Sequence, residues 1–168
     1  KPTARYFGRE GLPELPLFGM RFCISGTGGG FEWYGRGPEE NYCDRNAGAR
    51  LGIYKSTAAD SVSRYLVPQE CGNRTGIRWL KVTDEAGHSI RFTAEGRPFE
   101  GSVLPYTAEE LEHAAHIEEL PQPRYTVVNI LAAMRGVGGD DSWGAPVYPE
   151  YCVSGEKDIT FSFVIGRE

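Results

Sequence analysis

Long apolar runs and clustered basic residues are both missing from the sequence. No stretch approaches the roughly 20 apolar residues of a membrane-spanning helix, so we expect no membrane association. The formal net charge is −5, and the lysines and arginines are scattered singly among acidic residues. Because a phosphate-binding face needs clustered Lys and Arg, we expect no nucleic-acid partner. No targeting signal is recognisable, which leaves the cellular compartment open.

Metal-binding patterns are absent as well. The sequence has 4 cysteines, which are far apart and form no Cys-x-x-Cys pair. No histidine stands at ligand spacing from these cysteines, so we predict no zinc site, and we expect no other metal site in this chain. Reduced, buried thiols are the favoured interpretation, with two disulfides as the alternative. The cysteines are Cys23, Cys43, Cys71 and Cys152.

Common catalytic motifs do not occur either. There is no Gly-x-Ser-x-Gly, His-Glu-x-x-His or Gly-x-x-x-x-Gly-Lys pattern. The 23 Asp and Glu residues offer many carboxylate pairs, of which a retaining glycosidase would need one, but no pair stands out. His113 and His116 could share a metal or exchange protons, yet no third ligand is nearby, so we expect structural roles.

Alternating apolar residues predict β-strands along most of the chain. The alternation is clearest in residues 18–24 and 159–165. Residues 84–87 predict a hairpin turn, and the glycines of 26–30 predict another break. Short strands with frequent Gly and Pro favour an antiparallel sandwich or barrel. The other predicted strands are 31–34, 49–55, 65–67, 77–82, 90–94 and 125–132.

One helix is predicted. Thr107 and Glu110 have the spacing of a capping box, and helix-forming residues follow until Pro121. Residues 1–16, rich in Pro and Gly, are predicted to be an N-terminal arm or lead-in strand before the main domain at 17–168.

Residues 136–143 form the most distinctive loop, reading Gly-Val-Gly-Gly-Asp-Asp-Ser-Trp. Glycines allow unusual backbone angles and close approach, and the indole of Trp143 offers a flat apolar face on which a pyranose ring can lie. The loop is therefore a candidate sugar-contacting site. Two alternatives stay open from the local sequence: an acidic glycine-rich loop can bind calcium, and a loop tryptophan can cover the core.

A second dense segment, residues 31–45, reads Phe-Glu-Trp-Tyr-Gly-Arg-Gly-Pro-Glu-Glu-Asn-Tyr-Cys-Asp-Arg. It resembles the signature Trp-Tyr/Leu-Gly-x-Gly-Pro-x-Glu-Asn-Tyr-x-Asp-Arg in the C-terminal domain (small chain, domain 5) of large bacterial β-galactosidases of glycoside hydrolase family two. Three further segments are similar to that family in the same order, namely 67–74, 105–116 and 136–143. Cys71 stands where the family usually has Asn. The resemblance covers the chain from about residue 17 onward.

The resemblance implies an all-β fold, an antiparallel β-supersandwich of the galactose-mutarotase-like kind. It also implies a parent enzyme that hydrolyses terminal non-reducing β-D-galactose residues, as in lactose, with retention. In that family the catalytic glutamates lie on a TIM barrel, and the Mg and Na ligands lie in other domains. We therefore expect no catalytic residue and no cofactor in this chain, and no activity of the chain alone. Its expected partners are the remaining domains, including the barrel, in a homo-oligomeric enzyme.

Within this chain, the resemblance assigns substrate binding to Trp143, as a sugar platform on the aglycone side. Asp140 and Asp141 are expected to support the loop by accepting backbone N–H bonds or by pairing with an arginine such as Arg45. A buried polar cluster is expected to pin the turn after residue 37. Its expected members are Arg36, Glu40, Asn41, Asp44 and Arg45.

Two other functions remain open from the sequence. The first is a stand-alone carbohydrate-binding or interaction domain without catalysis. The second is an aldose mutarotase, which would need a His and a carboxylate as acid and base. His88, His113 and His116 are poorly placed for that chemistry.

Overall fold

A computed structural model describes residues 1–27, 29–141 and 143–168 of the chain. Gly28 and Ser142, which belong to the predicted break at 26–30 and to the 136–143 loop, lie outside the described residues. No helix in the described part is both long and apolar enough to cross a membrane. The elements are β1 Thr3–Tyr6, β2 Leu17–Ser25, β3 Gly30–Gly37, β4 Arg50–Thr57, β5 Arg74–Ile77, β6 Trp79–Thr83, β7 Ser89–Ala94, β8 Phe99–Leu104, α1 Ala108–Glu112, β9 Tyr125–Met134 and β10 Ile159–Arg167.

The strands form two antiparallel sheets packed face to face. The larger sheet has the order β1-β10-β7-β6-β3-β4, and the smaller has the order β2-β9-β8-β5. Each strand pair described is antiparallel. The predicted all-β antiparallel sandwich with one short helix is thereby confirmed. Strands β1, β4, β2 and β5 lie at the sheet edges.

The core lies between the sheets and is rich in aromatic residues. Trp33, Phe92 and Phe163 are almost fully buried. Phe22 reaches across from the smaller sheet, and its ring centroid lies 5.2 Å from that of Phe92 and 6.1 Å from that of Phe163. The alternation predicted at 18–24 and 159–165 places apolar side chains on this inner face, although Ile165 is partly exposed at the end of β10.

Three strand predictions differ from the structure. Residues 65–67 form no strand, and Leu66 is 92% exposed just before Pro68. The predicted strand at 77–82 is two strands, because Arg78 separates β5 from β6. Strand β8 was not predicted, since Gly101 and Ser102 interrupt its apolar alternation and it is buried on both faces.

The predicted capping box and hairpin turn are confirmed. Thr107 Oγ1 accepts a hydrogen bond from the Glu110 amide at 3.1 Å, and Glu110 Oε2 accepts one from the Thr107 amide at 2.9 Å. Helix α1 is shorter than expected and ends at Glu112. In the hairpin between β6 and β7, the Gly87 amide donates to the Asp84 carbonyl at 3.1 Å.

Candidate functional site: the loop that carries Trp143

The connection from β9 to β10 carries the predicted sugar-contacting residue. Its base is held by backbone hydrogen bonds, from Arg135 to the Pro16 carbonyl at 2.9 Å and from Gly136 to the Tyr151 carbonyl at 2.9 Å. These bonds attach the start of the loop to the segment before β2 and to Tyr151, later in the same connection. The loop therefore starts from a fixed position on the sandwich.

Trp143 projects from this loop into solvent. Its side chain is 92% exposed, so the indole does not cover the core of this chain. The Asp141 carboxylate accepts hydrogen bonds from the amides of Trp143 at 2.8 Å and Ala145 at 3.3 Å, which is an Asx turn. Gly144 completes the turn with a φ of +104°, a left-handed conformation that favours glycine.

Asp140 contacts the far side of the same loop. The Tyr148 phenol donates a hydrogen bond to Asp140 Oδ1. This bond to a carboxylate raises the pKa of Tyr148 above its ordinary value. Neither aspartate is the described salt-bridge partner of Arg45, which pairs with Glu40 at 2.6 Å.

Asp44 joins the loop to the other distinctive segment. Its Oδ2 atom accepts a hydrogen bond from the Gly138 amide at 2.7 Å, across 94 residues of sequence. Gly136 also lies against this carboxylate, since a Cβ atom built there would be 2.5 Å from Asp44 Oδ2. Asp44 was expected only in the polar cluster of residues 31–45, and its contact with the loop was not predicted.

The polar cluster after β3 is centred on buried Asn41. Its Oδ1 atom accepts hydrogen bonds from the Thr75 amide at 2.9 Å and the Thr75 hydroxyl at 2.6 Å. Its Nδ2 atom donates to the Glu39 carbonyl at 3.0 Å. The prediction that the Arg36 side chain belongs to this cluster is wrong. That side chain is exposed, and Arg36 contributes only its carbonyl oxygen.

Glu40 ties three segments together. Its carboxylate accepts hydrogen bonds from the Tyr65 phenol, from the Gly72 amide at 2.8 Å and from Arg45 Nη2 at 2.6 Å. Burial raises the pKa of Glu40, but the hydrogen bonds from Tyr65 and Gly72 outweigh burial and hold the pKa below its ordinary value. Arg45 itself is exposed, so the ion pair lies at the rim of the cluster.

Arg74 is a structural residue to which the sequence analysis gave no role. Its guanidinium carbon lies 5.1 Å from the centroid of the Trp33 ring, and its Nε atom donates to the Pro38 carbonyl at 3.2 Å. The Arg74 side chain is buried against β3. The Arg74 at the end of the 67–74 motif therefore packs under the 31–45 motif.

The histidines have local partners. His113 lies 2.6 Å from the Glu109 carbonyl, His116 lies 3.0 Å from Glu119 Oε1, and His88 lies 3.1 Å from Asp84 Oδ2. All three are exposed. Among residues 1–27, 29–141 and 143–168, no group of three or more His, Cys, Asp or Glu side chains is placed to hold a metal ion.

All four cysteines are free thiols. Cys71 is buried, and its sulfur accepts a hydrogen bond from the Ser63 amide at 3.4 Å. Cys23 is exposed, and the other two are half-buried. The prediction of reduced thiols agrees with the structure, whereas the prediction that they are buried is correct only for Cys71.

Comparison with known proteins identifies the family. Residues 3–165 match the family described as the β-galactosidase small chain. The chain belongs to this family. The match includes both distinctive segments, the one that holds Asn41 and the one that holds Trp143.

Relatives of this chain include long proteins named β-galactosidase and a shorter one named a β-galactosidase small subunit. It is 49% identical over 160 residues to a β-galactosidase of Halalkalibacterium halodurans, covering 95% of this chain and 16% of that protein. It is 42% identical over 163 residues to one of Streptococcus thermophilus, covering 97% and 16%. It is 43% identical over 170 residues to a β-galactosidase small subunit of Latilactobacillus sakei, covering 95% and 53%. The chain thus spans a small part of the long relatives and about half of that subunit.

Proposed function

We propose that this chain is part of a β-galactosidase that hydrolyses terminal non-reducing β-D-galactose residues, and that Trp143 forms a sugar platform in its active site. The observation that carries the proposal is the indole itself, which is 92% exposed at the tip of an anchored loop. The family and the names of the relatives support the parent activity.

An exposed indole suits sugar binding for a physical reason. Its flat apolar face can pack against the C–H groups of a pyranose ring, while its N–H can donate to a hydroxyl. Asp141 fixes the backbone at Trp143, and Asp140 holds the loop through Tyr148. Because these bonds restrain the described part of the loop before sugar arrives, less conformational entropy is lost on binding. Asp140 and Asp141 are thus proposed to support the loop.

The chemistry is proposed to lie outside this chain. Retaining glycoside hydrolysis needs a nucleophilic carboxylate and a second carboxyl group as acid and base. We assign both to glutamates of a TIM barrel elsewhere in the parent enzyme, together with its Mg and Na sites. Trp143 then contacts the aglycone side of a substrate such as lactose, and the chain alone does not turn over substrate.

The test uses the full-length enzyme with Trp143→Ala. We expect the KM for lactose to rise by about tenfold, roughly 1.4 kcal/mol, because the aromatic face is lost. Trp143→Phe, which keeps a smaller flat face, is expected to lose less. Val137→Ala is the matched control, since it removes a partly exposed apolar side chain from the same loop. Unchanged lactose kinetics in Trp143→Ala would contradict the proposed role.

A stand-alone carbohydrate-binding function has one observation in its favour. Within the described residues, Asp44, Asp140 and Asp141 of this chain supply hydrogen bonds that hold the Trp143 loop. The isolated chain is tested by titrating lactose or galactose while recording tryptophan fluorescence. A saturable change that disappears in Trp143→Ala supports this second function, and either the absence of any saturable change or its persistence in Trp143→Ala contradicts it.

A further inference from the structure

We infer that Asp44 is the positioning residue that holds the Trp143 loop in its sugar-contacting orientation. The inference rests on the proposed function of Trp143 and adds a residue from the other distinctive segment. Its starting observation is the 2.7 Å hydrogen bond from the Gly138 amide to Asp44 Oδ2.

The turn that carries Asp44 is itself fixed. Tyr42 and Arg45 exchange two backbone hydrogen bonds of 3.0 Å across Cys43 and Asp44. Asn46 Nδ2 closes the turn further by donating to the Tyr42 carbonyl at 3.1 Å and to the Cys43 carbonyl at 2.9 Å. The backbone from which the Asp44 side chain projects is therefore held by its own segment.

The turn also packs directly on the base of the loop. The Cys43 thiol lies 3.7 Å from the Met134 carbonyl at the end of β9 and 3.8 Å from the Tyr151 carbonyl. Tyr151 is the residue whose carbonyl accepts from the Gly136 amide. Asp44 and Cys43 thus both belong to a contact surface between the turn and the loop.

The glycine at position 136 is explained by this contact. A Cβ atom at Gly136 would be 2.5 Å from Asp44 Oδ2, and one at Gly138 would be 3.4 Å from the same atom. A side chain at Gly136 would therefore displace the carboxylate or the loop. Glycine at position 136 lets a charged acceptor reach the Gly138 amide, and hydrogen bonds to charged acceptors are stronger than neutral ones.

The Asp44 carboxylate offers a matched pair of variants. Its Oδ1 atom is buried and has no hydrogen-bond partner within the described ranges of the chain. Asp44→Asn can place its amide nitrogen at that position and keep an oxygen toward Gly138, whereas Asp44→Ala has no acceptor. Asp44→Leu also has no acceptor, and it replaces the alanine variant if that protein does not fold.

The experiment uses the full-length enzyme and measures lactose kinetics and amide hydrogen exchange of residues 136–145. In Asp44→Ala we expect exchange in this segment to become about tenfold faster and the lactose KM to rise by about tenfold, with kcat less affected. In Asp44→Asn, the exchange rate of this segment and the lactose KM should both stay close to those of the unsubstituted enzyme. Asp158→Ala is the control, because Asp158 accepts the Gly8 amide in the same way at 2.9 Å but anchors the N-terminal segment.

A double variant separates this inference from the proposed function. If Asp44 acts through Trp143, Asp44→Ala in a Trp143→Ala background should raise the KM no further. Unchanged exchange in Asp44→Ala, additive effects in the double variant, or an Asp44→Asn as impaired as Asp44→Ala overturns the inference while leaving Trp143 in place. Unchanged kinetics in Trp143→Ala alone overturns the proposed function, and with it a role for Asp44 in sugar contact.

Discussion

The guanidinium of Arg74 stacks on the ring of Trp33, with 5.1 Å between the guanidinium carbon and the ring centroid. Both side chains are buried. Trp33 in turn donates its indole N–H to the Arg36 carbonyl at 3.0 Å, at the point where β3 ends. The cation therefore connects the core of the sandwich to the polar cluster around Asn41.

Arg74→Ala should destabilise the fold by about 2–4 kcal/mol. The substitution removes a desolvated cation–π contact and leaves the buried Gly72 carbonyl and the part-buried Pro38 carbonyl without their donor. Urea unfolding measures the loss. Arg64→Ala, an exposed arginine in the preceding segment, should change the free energy of unfolding by less than about 0.5 kcal/mol. Equal effects of the two substitutions would contradict the role of Arg74.

Much of the sandwich was predictable because half-buried strands carry a period of two in the sequence. Strand β2 and most of β10 follow that period, and the capping box of α1 is likewise a local pattern. Strand β8 was missed because a strand covered on both faces has no alternation to detect. Residues 65–67 looked like a strand but have no neighbouring strand to pair with, which sequence alone does not reveal.

The candidate site was only partly predictable for a similar reason. Residues 140–143 are recognisable from their local composition, and Asp141 accepts a hydrogen bond from an amide only two residues away. The bond between Asp44 and Gly138 spans 94 residues, and no local pattern links such distant positions. The contacts of Arg74 could not be predicted for the same reason, because its partners lie in another segment.

The stabilising contribution of Glu40 to the fold should be lost in acid. Its pKa in the folded chain lies below the ordinary value, so the folded state binds a proton less readily than the unfolded state does. The stabilisation is present above the ordinary pKa and is lost as the pH falls through the folded-state pKa. Urea midpoints at neutral pH and at about pH 3 should differ less in Glu40→Gln than in the unsubstituted chain. An unchanged difference would contradict this contribution.

The contribution of Glu100 to stability should have the opposite pH dependence. Burial raises its pKa above the ordinary value, and the hydrogen bond from Asn73 at 2.9 Å does not compensate fully. Its contribution to stability is greatest below the ordinary pKa and falls as the pH rises through the raised pKa. Glu100→Gln keeps an oxygen for Asn73 without the charge, so its urea midpoint at neutral pH should be higher. A lower midpoint would contradict this expectation.

Gly136→Ala should disturb the loop although it adds only one methyl group. The new Cβ atom would meet Asp44 Oδ2 at 2.5 Å, and Tyr151 Cβ lies 2.9 Å away on the other side. We expect a loss of about 1–3 kcal/mol in the free energy of unfolding, the usual range for overpacking. Gly48→Ala is the matched control, because nothing lies within 4 Å of a Cβ atom there. Equal thermal unfolding of both variants would count against the close contact.

Strand β4 has a consequence for the behaviour of the chain in solution. All eight of its residues pair in register with β3, and within the described residues it has no neighbour on its other side. Leu51 and Ile53 are 51% and 61% exposed on it, and the strand contains no proline or bulge. Such an edge is a template for strand addition. The isolated chain should therefore self-associate as its concentration rises in sedimentation experiments, and Ile53→Lys should keep it monomeric to higher concentration.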